Sequence, residues 1–200
     1  GVPVATFAHR RLREKPPSGG VSVLRESMAV PQPMADDALR LLEAVNWHGV
    51  AMVEFKMDGE KDRPVLMEVN GRWWGSLQLA VDAGINFPFL LYQLAMDHPR
   101  QSLPTGYRVG TRSRWFLGDL DHLLLRLTRS DAQLNMPVNS PSRWRCVIDF
   151  LSPGGRDQYW EVERWVDLNP ARYEWGRYIR ALLPFSDRLW RTMALPFRAG

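Results

Sequence analysis

Glu54 and Glu68 stand 14 residues apart in two short runs, Ala51-Met-Val-Glu-Phe-Lys-Met-Asp58 and Pro64-Val-Leu-Met-Glu-Val-Asn70, parted by the turn-like stretch Gly59-Glu-Lys-Asp-Arg63. A hairpin folded about Lys61 pairs Glu54 with Glu68 across the ladder. It also sets Val53 against Val69, Phe55 against Met67 and Met57 against Val65 on the other face. Two carboxylates directly opposed repel each other and weaken a sheet, so the pattern calls for a cation. Asn70 and Arg72 follow Glu68 at i+2 and i+4 and share its face if the strand runs on. Two acids, an amide oxygen and a guanidinium converging on one spot suit Mg²⁺ and phosphate. Mg²⁺ binds through one or two carboxylates and keeps waters or substrate phosphates, so a sparse donor set is enough. The competing reading is a solvated strand face of ordinary surface glutamates. Asn70, Arg72 and the helix start at Gly75-Ser76, where an N-terminus favours anions, weigh against it.

A second candidate is Pro16-Pro-Ser-Gly-Gly-Val-Ser22, flanked by Arg10, Arg11, Arg13 and Lys15. Adjacent glycines let backbone N–H groups approach an anion, and Ser18 and Ser22 add hydroxyl donors. A Pro/Gly/Ser loop between strands is more often simply a connection. The four histidines, 9, 48, 98 and 122, share no metal-ligand spacing, and no Ser or Cys sits in a nucleophile motif. No catalytic triad is expected.

The elements that must position these residues can be read along the chain. Val2–His9 reads as a strand, followed by His9-Arg-Arg-Leu-Arg13, the Pro/Gly loop and a short strand Val21–Leu24. A chain that opens directly on a strand suggests a cut through a larger protein. Met34–Trp47 has Leu39, Leu42 and Val45 at helical spacing, with Asp36 or Asp37 near its start. After the carboxylate hairpin a helix runs from Leu77 to a stop at Gly84, and Asn86 and Pro88 open another over Phe89–Asp97. Tyr107–Phe116 reads as a strand, Asp119–Arg129 as a helix, Ser130–Ser142 as a polar loop and Tyr159–Val166 as a strand. Ala171–Leu183 and Ser186–Leu195 are predicted helices parted by Pro184. There is no internal repeat and no low-complexity segment.

At 200 residues and 45% apolar content the chain can bury a core. It has no run of 18 apolar residues, and Gly1-Val-Pro-Val does not open a secretory signal, so a cytoplasmic location is expected with no integral membrane segment. The single Cys146 cannot form an internal disulfide and reads as a buried structural thiol. Net charge is +4, and among 26 basic residues only Lys15, Lys56 and Lys61 are lysines. Arginine suits phosphate and carboxylate, but these arginines are scattered rather than massed, so no nucleic-acid partner is expected. The nine tryptophans read as amphipathic rings capping a core.

Glu54 followed by Glu68-Val-Asn70-Gly-Arg72 resembles the Glu…Glu-x-Asn-x-Arg signature of the ATP-grasp superfamily. Val53-Glu-Phe-Lys56 and Met67-Glu-Val-Asn-Gly-Arg-Trp-Trp-Gly-Ser76 are similar to its carbamoyl-phosphate-synthase-like, carboxylate-amine ligase branch. His9 to Ser22 and Val109-Gly-Thr-Arg-Ser-Arg-Trp-Phe-Leu-Gly-Asp119 extend the likeness, which covers roughly the first 125 residues. Gly71 stands where many relatives carry proline.

The resemblance implies an α+β fold, an antiparallel sheet with helices packed on one face, as in the C-terminal ATP-grasp subdomain. Residues 1–100 would form that subdomain and 101–200 a partly helical extension packed on it. It implies an ATP- and Mg²⁺-dependent (or Mn²⁺-dependent) ligase that forms an acyl phosphate for an amine to attack. Glu54, Glu68 and Asn70 would hold the metal, Arg72 would steady the transferred phosphoryl, and Met67 would pack on the adenine, although strand alternation points it to the opposite face. Ser18, Gly19 and Gly20 with Arg10 and Arg13 would lie near the phosphates. The phosphate-gripping lysines belong to an earlier subdomain, so the resemblance implies a missing N-terminal half supplied in cis or in trans, with this chain inactive alone. Small-molecule carboxylates and amines are the implied substrates. The alternative is a nucleotide- or metal-binding module of ATP-grasp ancestry that catalyses nothing.

Overall fold

Val21-Ser-Val-Leu-Arg-Glu-Ser-Met28 has neighbours along both edges and is buried from Ser22 to Ser27, which makes this half-polar run the centre of the fold. The structure is a computed structural model that describes residues 2–58, 63–96 and 104–182. The elements are β1 (Ala8–Lys15), β2 (Val21–Met28), α1 (Gln32–Ala44), β3 (Met52–Asp58), β4 (Arg63–Asn70), α2 (Leu77–Ala83), α3 (Phe87–Ala95), β5 (Arg112–Arg114), α4 (Phe116–Thr128), α5 (Arg143–Leu151), β6 (Gln158–Trp160) and α6 (Asn169–Leu182). The main sheet has the order β1-β2-β5-β6, antiparallel except for the parallel β5/β6 pair, and β3 and β4 form a separate two-stranded hairpin.

The α+β class expected from the sequence is the class observed. The chain forms two compact units, residues 1–161 and 162–200. In the first, the short strands β5 and β6, from beyond position 100, complete the sheet that β1 and β2 begin. The second contains a bridge between Arg164 and Asp167 and then α6, with Asp167 accepting from the Asn169 N–H.

Pairing fixes the two faces of the sheet, because directly opposed residues share a face and successive residues alternate. Arg11 lies opposite Arg25 and His9 opposite Ser27, so these four share one face. Arg10 lies opposite Glu26, Arg13 opposite Leu24, Glu26 opposite Arg112 and Leu24 opposite Arg114, so these share the other. Irregularities on either side of Arg13 admit one extra residue on each strand and keep this order intact. The segment before α2 meets the His9 face, where Ser76 bonds His9 and the Gly75 carbonyl accepts from Arg25. Asp119 of α4 meets the Arg13 face. Helices therefore cover both faces rather than one. The apolar core, including Val23, Leu79, Ala80, Ala83, Ile85 and Leu117, is small, and buried Arg25, Glu26, Arg114, Asp119 and Arg126 share the interior with it.

Several boundaries differ from expectation for identifiable reasons. β1 begins at Ala8 rather than Val2 and runs through the arginine cluster, because those arginines find partners on both faces of the sheet. α1 starts at Gln32, two residues early, since Pro33 is tolerated in a first helical turn. The strand expected over 107–116 shrinks to 112–114, and 159–166 to 158–160. Here the backbone is tied by single bonds instead: the Ser27 hydroxyl donates to the Arg108 carbonyl at 2.7 Å and accepts from the Thr111 N–H at 2.9 Å. α2 ends before Gly84, which has φ +119°, and Asn86 caps α3 by accepting from the Phe89 N–H at 3.0 Å, both as expected. α5, capped by Ser142, is an element beyond those expected. The expected helix 186–195 lies outside the described residues. Among the described residues no helix is long and apolar enough to cross a membrane, and Cys146 is buried and free.

Candidate functional site

β3 and β4 place Glu54 directly opposite Glu68 and Val53 opposite Val69, as the 14-residue spacing requires. Beyond that pair the register slips by one residue. Phe55 lies opposite Leu66, Lys56 opposite Val65 and Met57 opposite Pro64, so the expected Phe55/Met67 and Met57/Val65 pairs do not form. Met67 is the extra residue, a bulge immediately before Glu68. A bulge bends the strand and re-aims side chains, so the strict alternation that would point Met67 away from Glu68 does not apply to it. Met67 is 58% exposed. Asn70 closes the ladder opposite Met52 and keeps the Glu68 face.

The repulsion between the two acids is relieved on one side by the protein itself. Arg11 of β1 reaches Glu54 with Nη2 2.5 Å from Oε1, while its Nη1 donates to Glu14 at 2.9 Å and to the Gly20 carbonyl at 3.2 Å. This one guanidinium joins the main sheet, its β1/β2 turn and the carboxylate hairpin. Among the described residues the Glu68 carboxylate and the Asn70 side chain make no hydrogen bond or ion pair. Also among these residues, no group of three or more His, Cys, Asp or Glu side chains is disposed to hold a metal. Any cation here would rest on the two acids and the amide.

Beside Arg11 on the same face, Arg25 donates to the Gly75 carbonyl at 2.9 Å and pairs with Glu161. Burial pulls the Arg25 guanidinium below its usual range. Glu161 opposes that shift, and the neighbouring Arg11 adds to it. His9 lies between these arginines and the start of α2, its Nε2 3.0 Å from the Ser76 hydroxyl. Burial lowers its pKa to about 4, with Arg25 and Arg11 adding to the effect, so His9 is neutral at physiological pH. The face thus presents two arginines and a neutral imidazole next to an acid pair. His9 and Arg25 were missed by reading motifs alone. Their signal was strand parity, since His9 and Arg11, and Arg25 and Ser27, stand at i and i+2.

The remaining expected site residues are spread over several places. Arg72 is exposed just past β4, its Nη1 donating to the Trp73 carbonyl at 3.0 Å. Ser18, Gly19 and Gly20 form the exposed tip between β1 and β2, where the Gly19 N–H is used inside the turn by the Pro16 carbonyl at 3.2 Å. Arg10 and Arg13 lie on the sheet face opposite Arg11, paired with Glu26 and Asp119. It is therefore Arg11 that the fold brings to the acid pair. Gly71 lies against Trp47: a Cβ there would come within 2.3 Å of the indole ring, which accounts for a small residue next to Asn70.

Residues 6–115, more than half of the chain, match the family described as ATP-grasp in the biosynthetic pathway with Ter operon. The chain belongs to this ATP-grasp family. No curated protein and no solved structure shows significant similarity to it. Membership brings with it an ATP-dependent, ligase-type fold, and the matched stretch contains the acid pair, Asn70, Arg72 and the Arg11 face. The ATP-grasp match stops at Trp115, just before α4.

Proposed function

We propose that this chain carries the metal-holding part of an ATP-dependent carboxylate-amine ligase. In that reaction a substrate carboxylate oxygen takes the γ-phosphoryl of ATP and releases ADP. An amine then attacks the acyl carbon, phosphate leaves, and the amine gives up a proton as the amide forms. The observation that carries the reading is the direct opposition of Glu54 and Glu68 with Asn70 on their face, inside an ATP-grasp family match. The donor set fits a hard cation: all its ligating atoms are oxygens, and two of the three side chains are unpartnered among the described residues.

Glu54, Glu68 and Asn70 would hold Mg²⁺ or Mn²⁺, which when bound neutralises charge on the β- and γ-phosphoryl oxygens. Arg11 positions Glu54 and brings a fixed positive charge to the same face. Arg72, exposed beyond Asn70, would steady the acyl phosphate. Met67, on the bulge, would border the adenine. Ser18, Gly19 and Gly20 would border the phosphates through the Arg11 link. The lysine-bearing nucleotide clamp would come from a further ATP-grasp half in cis or in trans, and the substrates are a small carboxylate and a small amine.

The test is carboxylate-dependent ADP release by the full-length protein. Glu68→Ala is expected to abolish it and to leave the melting temperature near that of wild type, because removing one of two opposed acids relieves repulsion. Normal turnover by that variant would overturn the metal assignment. A second reading, a nucleotide-binding module without turnover, is favoured by one observation: Arg11 already compensates Glu54, so the hairpin can stand without metal. It predicts Mg²⁺-dependent ATP binding with no ADP release for any acceptor.

A further inference from the structure

The sheet face opposite Glu54 carries a charge imbalance that the ligase reading does not use. Glu26 is shared by two arginines, Arg10 at 2.6 Å and Arg112 at 2.7 Å. Asp119, fully buried, is likewise shared by Arg13 at 2.9 Å and Arg114 at 2.6 Å. Arg145 of α5 pairs with Asp149 at 2.9 Å. Five guanidinium groups thus face three carboxylates, an excess of two positive charges. Arg13, Arg112, Arg114, Arg145 and Asp149 line a half-open cleft of about 350 Å³ beside Gly154.

The sheltered charges balance, Arg13 and Arg114 against Asp119 and Glu26, so the excess lies with the more exposed Arg10, Arg112 and Arg145, where positive charge draws in an anion. Burial alone would raise the Glu26 carboxyl, yet its bonds to Arg10 and Arg112 outweigh burial and hold it below the usual range. Glu26 is therefore ionised already and can offer no further charge. Donor capacity remains: the buried Nε of Arg13 has no partner, and Arg112 and Arg145 are 45% and 68% exposed at the mouth. The guanidinium groups that line the cleft come from three elements, β1, β5 and α5, rather than from one fork. A single carboxylate would satisfy one fork and leave a charge over. A phosphomonoester carries close to two negative charges at neutral pH and offers three acceptor oxygens in tetrahedral array.

We infer that the cleft between the Arg13 face of the sheet and α5 binds a small phosphomonoester dianion, at a site separate from the Glu54/Glu68 pair. α5 lies beyond the family match, so this site is assigned by the chain's own geometry. The test is calorimetric titration, at constant ionic strength and without Mg²⁺ or nucleotide, with inorganic phosphate, glycerol 3-phosphate and succinate. Both phosphates should bind saturably and succinate much more weakly. Arg112→Gln and Arg145→Gln should each weaken phosphate binding about tenfold or more, the loss expected for a charge-assisted hydrogen bond. Arg145 is exposed, so its variant stays folded and the test remains informative even if Arg112→Gln unfolds. Glu68→Gln should bind phosphate as wild type does. Absence of saturable binding, equal affinity for succinate, indifference to Arg145→Gln, or loss in Glu68→Gln would each overturn the assignment.

Discussion

Lowering the pH from 7 to 5 should destabilise the protein through His9, and the size of the effect follows from its surroundings. The imidazole is held at a pKa of about 4 by burial and by Arg25 and Arg11, against an ordinary value of 6.5. Above pH 6.5 it is neutral in both folded and unfolded chains and makes no difference to stability. As pH falls below 6.5 the unfolded chain takes up a proton that the folded chain refuses, so stability is lost progressively until pH approaches 4. Linkage gives a loss of about 2 kcal/mol between pH 7 and pH 5. The groups facing His9 are Arg11, Arg25 and the Ser76 hydroxyl, with Glu54 held on Arg11. His9→Gln keeps a group able to bond Ser76 and removes the titration. Urea unfolding at both pH values should show wild type losing about 2 kcal/mol more than His9→Gln. His122, also lowered by burial, contributes equally to both proteins and cancels. Identical losses in the two proteins would refute the placement of His9 between the arginines.

Asp119→Asn should destabilise by about 3–5 kcal/mol, because Arg13 and Arg114 would be left buried without their shared counter-ion. Urea unfolding measures it, and a loss under 1 kcal/mol would contradict the pairing. Gly20→Ala should cost about 1–3 kcal/mol by thermal melting, since the added Cβ would stand 2.4 Å from the Lys15 carbonyl oxygen, a backbone atom that cannot swing aside. Asn86→Ala should cost about 1 kcal/mol by removing the cap on the Phe89 N–H, visible as faster amide exchange in the first turn of α3.

The acid pair was legible in the sequence because its spacing and the alternation around it admit one register at that point. The one-residue slip beyond it was not. A bulge at Met67 trades one set of apolar pairs for another, Phe55/Leu66 for Phe55/Met67, and such a swap leaves little trace in composition. α2 and α3 were legible through local chemistry, a left-handed Gly84 and a capping Asn86. β1 was displaced because its strand signal is ionic: arginines on both faces carry no hydrophobic period, and their partners Glu26, Glu54 and Asp119 lie far away in sequence. For the same reason Arg11 could not be told from Arg10 or Arg13 before the pairing was known. α5 carries a usable signal that the expectations omit, the Ser142 cap with Trp144, Ile148 and Leu151 at helical spacing. That apolar stripe is exposed rather than packed, so the pattern marks a helix without marking core.

The central claim is that Glu54 and Glu68 grip one divalent ion together with Asn70. Electron paramagnetic resonance of Mn²⁺, titrated into the full-length protein with ATP, tests it most directly. Wild type should quench the free Mn²⁺ signal saturably, and Glu54→Gln/Glu68→Gln should bind at least a hundredfold more weakly, roughly 3 kcal/mol for two lost carboxylate ligands. Equal Mn²⁺ affinity in wild type and the double variant would contradict the account.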